Sequence, residues 1–209
     1  PFSTHDAIAA LRRRVDLDIE MHAHDDLGLA TANTLAACRA GATHVNTTVN
    51  GLGERAGNAP LEEVALGLSK LYGFQTGVDL SYFPLLSDIV AAASGRPVGW
   101  QKSVVGEGVF THEAGIHVDG LLKDPETYQG FDPGEVGRAH KLVVGKHSGS
   151  HGVIAAYARM GLNLSPAEAR ELLPDIRAFA EKAKRSPADH ELVFIYQRLI
   201  SRGAPGAVH

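Results

Sequence analysis

Cysteine is the scarcest residue for its chemical weight: there is one, Cys38, in 209 residues. A single thiol excludes a disulfide framework and a zinc site built from several thiolates, and it fits a reducing compartment. Tryptophan also occurs once, methionine twice, and aromatic residues make up only 6%. No apolar run approaches the roughly 20 residues that a bilayer requires, and no charged-then-apolar leader precedes a cleavage site. Neither sign of charge dominates. Twenty basic and 24 acidic residues leave a net charge of −4 and are scattered rather than blocked. That argues against affinity for nucleic acid or a membrane surface, which a basic patch would supply. What remains, 44% hydrophobic over this length, suffices for one domain, or a domain plus an appendage, with a real core. The expectation is a soluble, cytoplasmic protein.

The first third alternates between two periodicities. Residues 6–14 have helical spacing, with Ser3 or Thr4 as the expected cap, and "LDIEMHA" is a short β-compatible run. "GLATANTLAACRAGA" returns to helical spacing and stops at Gly41, "THVNTTVNG" is β-branched, and "APLEEVALGLSKLYGF" opens with Glu62 and Glu63 and closes near Lys70. Helix, strand, helix, strand, helix predicts βαβ units and a parallel sheet, hence an α/β fold. After about residue 78 the pattern changes. "DLSYFPLLSDIVAAASGRPV" reads as helix, a long Gly- and His-rich region follows, and from Gly152 the chain is helical again, with Ser165 as a cap and Pro166 at the first helical position. The expected division is 1–78, 79–150 and 151–209.

Four segments carry chemistry-bearing residues. In "IEMHAHDDLGLATAN", His22 and His24 are two apart, so in a strand both imidazoles leave the same face, half of a divalent-metal site. Asp25 and Asp26 follow at once and can orient such histidines, although H-x-H also arises by chance. "NGLGERAGN" places Gly51, Gly53 and Gly57 among Glu54, Arg55 and Asn58, either to let backbone approach a ligand or simply to make a tight loop. It is neither a Walker loop nor a dinucleotide fingerprint. In "FTHEAGIHVDG", a helix would make Glu113 and His117 neighbours on one face, as in a general acid/base pair, or merely an exposed salt link. "GRAHKLVVGKHSGSHG" sets His140, Lys146, His147 and His151 among glycines, suited to a carboxylate or phosphate, or to a surface linker.

Together these segments, in this order, resemble the alpha-isopropylmalate/homocitrate synthase family. "IEMHAHDDLGLATAN" is similar to its H-x-H-[DN]-D-x-G signature, "VNGLGERAGNAPLEE" to its glycine-rich loop, and "FTHEAGIHVDGLLKDPETY" and "LVVGKHSG" to its region after the barrel. Within the family, "GRPVGWQKSVVGEGVFTHEAGIHVDGLLK" is most similar to the homocitrate synthases of nitrogen fixation. The resemblance implies the last two βα units of a (β/α)8 TIM barrel followed by mostly helical C-terminal subdomains. It implies an acyltransferase that condenses acetyl-CoA with 2-oxoglutarate in a Claisen-type reaction to give homocitrate and CoA. A divalent metal (zinc, manganese or magnesium) would be held by His22 and His24 with Asn58. The loop residues Gly51, Gly53, Glu54 and Arg55 would lie at the substrate or CoA. His117, with Glu113 and His140, would be catalytic, His117 reaching into the neighbouring barrel of a homodimer.

Two departures qualify these expectations. His140 stands near where several relatives carry a tyrosine implicated in catalysis. The family's opening D-x-T-L-R-D-G-x-Q motif, source of a carboxylate ligand and a substrate-binding arginine, is absent, and with it six strands of the barrel. The chain is therefore expected to be the C-terminal part of a longer or split enzyme, and inert by itself. Competing readings are a 2-isopropylmalate or citramalate synthase and, from another class, a non-catalytic dimerisation or regulatory module.

Overall fold

The computed structural model describes residues 1–113, 120, 124 and 129–203. By its contacts the chain divides into two compact units, the first formed by residues 1–109 with 134–138 and the second by 110–133 with 139–209. In this division short pieces of the two units are interleaved along the chain.

The first unit bears out the alternating pattern. Helix α1 (Phe2–Arg12) leads to strand β1 (Glu20–His22), helix α2 (Ala30–Arg39), strand β2 (His44–Asn46), helix α3 (Leu61–Tyr72) and helix α4 (Phe83–Ser94). β1 and β2 pair in parallel, Glu20 opposite His44 and His22 opposite Asn46, with α2 as the crossover that parallel neighbours require. Ala30, Thr34 and Ala37 form the buried stripe of α2, and their small size lets α1 and α3 pack against it. One cluster of its core is Ala23, Ala30, Ala59, Val64 and Leu68, flanked by Met21, Leu35, Cys38 and Val45, and Phe83 and Leu66 are buried as well. Leu17 and Leu27, before and after β1, are 70% and 85% exposed, so apolar surface remains uncovered near the strand. Neither Ser3 nor Thr4 caps α1, which begins at Phe2; the Thr4 hydroxyl donates to Asn33 Oδ1 instead.

The second unit is mostly helical. Two-residue strands β3 (Thr111–His112) and β4 (Lys141–Leu142) pair in parallel. Helices α5 (Ser150–Arg159), α6 (Pro166–Ala183) and α7 (Asp189–Gly203) follow. The expected start of α6 is a full capping box: Ser165 Oγ accepts from the Glu168 N–H, and the Glu168 carboxylate accepts from the Ser165 N–H. Ala169, Leu172, Ile176 and Ala180, spaced three and four apart, line its buried side. Ala169, Leu172 and Ile176 pack with Val144, Val153, Tyr157, Leu192 and Ile195. Among the described residues no helix is long and apolar enough to cross a membrane.

Candidate functional site

β1 ends where its histidines begin to act. His22 closes the strand, and His24 forms an antiparallel bridge with Asn58, so the two imidazoles leave the same side with ring centroids 4.9 Å apart. Asn58 returns from the glycine loop to meet them. Its N–H donates to the Gly51 carbonyl (3.1 Å) and its Nδ2 to the Leu52 carbonyl (2.9 Å). With the amide nitrogen so engaged, Oδ1 faces His22 Nε2 at 3.1 Å. The three residues singled out as metal ligands therefore converge.

The loop's glycines are needed for that convergence. A Cβ at Gly53 would lie 2.4 Å from Asn58 Nδ2, and one at Gly57, where φ is +90°, would lie 2.0 Å from the Gly51 carbonyl oxygen. The two aspartates serve the scaffold rather than the rings. Asp25 Oδ1 accepts from the Ala30 N–H at the start of α2. Asp26 receives a two-point hydrogen bond from Arg55 (2.8 and 3.0 Å), tying strand end to loop. That guanidinium holds the Asp26 carboxyl below its usual range. Glu54 is an exposed residue of the same loop.

A cleft of about 460 Å³ opens beside Asn58, lined also by Thr31, Asn50, Glu63 and Lys102. Lys102 donates to Glu63 Oε1, while Glu63 Oε2 is buried with no partner among the described residues. Burial pushes the Glu63 carboxyl up, and the Lys102 ammonium opposes the shift. Sequence reading missed Lys102 in this cleft. Its partner is 39 residues away, beyond the reach of any local spacing rule.

Two imidazoles and an amide oxygen suit a divalent ion as three of its donors. Among the described residues no group of three or more His, Cys, Asp or Glu is placed to hold one. The donor set thus fits a metal that takes further ligands from outside this group.

In the second unit, Glu113 directly follows β3; His117, expected as its neighbour on a helix face, lies outside the described residues. Glu113 Oε1 accepts from the His147 N–H at 2.8 Å, and Ser148 Oγ donates to the Glu113 carbonyl. The "GKHSG" loop does receive a carboxylate, but that carboxylate is the protein's own. Lys146 pairs with Glu181 at 3.6 Å. His140 stacks edge-on with Phe110 and lies between His112 Nε2 (3.1 Å from its Nδ1) and Gln129 Oε1 (2.9 Å from its Nε2). As Gln129 Oε1 only accepts, His140 Nε2 carries the proton and Nδ1 accepts from His112.

These features define a class: an α/β unit with a two-histidine, one-asparagine site, followed by a helical unit. The HMGL-like family model matches residues 1–90, and the model described as homocitrate synthase post-HMGL domain-like matches residues 104–184. The chain is 49% identical over its whole length to 2-isopropylmalate synthase 2 of Caldanaerobacter subterraneus, covering 54% of that protein. It is 47% identical over 92% of its length to homocitrate synthase 1 of a Nostoc species, covering 51% of it. To a homocitrate synthase of Frankia alni it is 53% identical over 77% of the chain, covering 46% of that protein. The chain is thus similar along its length to curated homocitrate and isopropylmalate synthases, and it spans about half the length of the relatives it matches.

Proposed function

We propose that this chain is part of a homocitrate synthase of the nitrogen-fixation type, with β1–α2–β2–α3 as the last two βα units of its barrel. The complete enzyme, a homodimer, would condense acetyl-CoA with 2-oxoglutarate to homocitrate and CoA. The observation that carries this reading is the convergence of His22, His24 and Asn58 Oδ1. In it these three hold a divalent ion (zinc, manganese or magnesium), which would polarise the carbonyl of a 2-oxo acid. The cleft lined by Asn58 and Gly51 gives such an acid room, and Gly53, Glu54 and Arg55 of the same loop would meet the substrate or CoA. His117, Glu113 and His140 supply proton transfer. His140, which accepts at one nitrogen and donates at the other, is wired as a proton relay requires. The chain by itself is inert.

Two measurements test the reading. Zn2+ titrated into this chain should bind with an affinity that falls about 10-fold or more on His22→Ala, His24→Ala or Asn58→Ala, because each removes a donor. Unchanged binding in all three would overturn the metal assignment. In the complete enzyme, release of CoA from acetyl-CoA should show its highest kcat/KM with 2-oxoglutarate among 2-oxoglutarate, 2-oxoisovalerate and pyruvate. Preference for 2-oxoisovalerate would establish the second reading, an isopropylmalate synthase, which the 49% identity across the whole chain favours. No CoA release with any of them would point to a non-catalytic dimerisation or regulatory module.

A further inference from the structure

Glu62 is fully buried, and among the described residues its only hydrogen-bond partner is the backbone N–H of Asn50, which donates to Oε1 at 2.9 Å and to Oε2 at 3.2 Å. A carboxylate removed from water for one N–H calls for an explanation. Asn50 supplies it: φ is +60° and ψ 7°, a left-handed conformation that asparagine enters more readily than other non-glycine residues and that its hydrogen bonds fix here. The side chain is held as well, Nδ2 donating to the Ser87 carbonyl (3.0 Å) and Oδ1 accepting from Ser87 Oγ (2.6 Å). Ser87 is also buried. The left-handed turn at Asn50 aims the two carbonyls that follow it, and these are the ones that hold Asn58. The Gly51 carbonyl accepts from its N–H and the Leu52 carbonyl from its Nδ2, which leaves Oδ1 toward His22 Nε2.

We infer that Glu62 is a positioning residue: through the left-handed turn at Asn50 it sets Asn58 Oδ1 against His22 Nε2. Its functional meaning rests on the metal-site reading above, but the geometry does not, so the two are tested separately. In the metal-free chain Asn58 Oδ1 accepts, so neutral His22 carries its proton on Nε2. Nitrogen-15 NMR of the His22 ring reports that tautomer directly.

Glu62→Leu fills the space without an acceptor, whereas Glu62→Gln keeps one. The inference expects Glu62→Leu to abolish the Nε2–H bias of His22 and Glu62→Gln to retain most of it. Equal behaviour of the two variants, which simple core filling would produce, overturns it. Should Glu62→Leu fail to fold, Asn50→Ala and Asn50→Gly ask the same question. Both lose the side-chain bonds to Ser87, but only glycine takes the left-handed turn freely. The inference expects the His22 signature to be lost in Asn50→Ala and kept in Asn50→Gly, and equal effects overturn it. In Zn2+ titrations the affinity should drop about 10-fold in Glu62→Leu, as for residues that orient ligands without touching the metal. If Zn2+ binding is unchanged in His22→Ala, His24→Ala and Asn58→Ala alike, the metal reading falls, while the NMR comparison still decides the role of Glu62.

Discussion

The two units hold themselves together by different means. In the first, alongside buried apolar residues that include Phe83 and Leu66, much of the definition comes from a loop in which polar groups and backbone are pressed close: Glu62 on Asn50, Gly57 on the Gly51 carbonyl, Gly53 on the Asn58 amide. The second has a broad apolar core built on Leu172, Ile176, Tyr157, Val153 and Leu192, with a conventional capping box at the head of its longest helix. Apolar packing is non-directional and tolerates repacking. Hydrogen-bonded close approach tolerates little, because each group has a fixed direction and a fixed partner. The convergence of His22, His24 and Asn58 rests on contacts of the second kind, and the helical core of the other unit on the first.

This contrast can be broken most forcefully at Gly57. Gly57→Ala puts a Cβ 2.0 Å from the Gly51 carbonyl oxygen at a φ of +90°. The expected cost is about 2–5 kcal/mol, from left-handed strain together with overpacking. Native-state hydrogen exchange is the check. Amides of residues 48–60 should lose protection while those of α5–α7 keep theirs, and uniform loss across both units would erase the distinction.

A smaller effect is expected from Tyr157→Phe in the second unit. The hydroxyl donates to the Leu192 carbonyl at 2.7 Å, and burial pushes its pKa up to about 12, so it keeps its proton under ordinary conditions. Losing this bond while the ring remains should cost only about 1 kcal/mol, read as a shift in urea midpoint. A loss as large as that at Gly57 would show that the helical unit, too, depends on directional contacts.

The smallest effect concerns acid. Glu191 receives two hydrogen bonds from Arg185 (2.7 and 2.8 Å) and one from the Ala188 N–H, and its carboxyl is held down to about 2, mainly by Arg185. A carboxyl with a lowered folded-state pKa stabilises the fold at pH above its unfolded value of about 4.3, and that contribution fades as pH falls toward about 2. Glu191→Gln should therefore lower the melting temperature slightly at neutral pH and flatten its decline between pH 4.5 and 2. An unchanged slope would mean that the pair does not contribute.

How much of this was legible beforehand differs between the units in the same way. The strands at 20–22 and 44–46, their parallel pairing and the helices that follow were readable because each rests on local periodicity. The capping box at Ser165 was readable because its partners are three residues apart. His22, His24 and Asn58 were legible as a set only through resemblance, for nothing in local spacing says that residue 58 returns to residue 22. The cap of α1 was misread, since a long-range partner, Asn33 for Thr4, outweighs local propensity.

By itself, then, the sequence determined the elements, their order and the glycines without which the loop could not close, since those depend on backbone freedom and short-range pattern. Only the tertiary structure decided that Glu62 serves Asn50, that Lys102 faces Glu63, and that the amide of Asn58 turns its oxygen to His22. Each of those choices is a hydrogen bond between residues 12 to 39 positions apart, and such a bond exists only once the chain has folded back on itself.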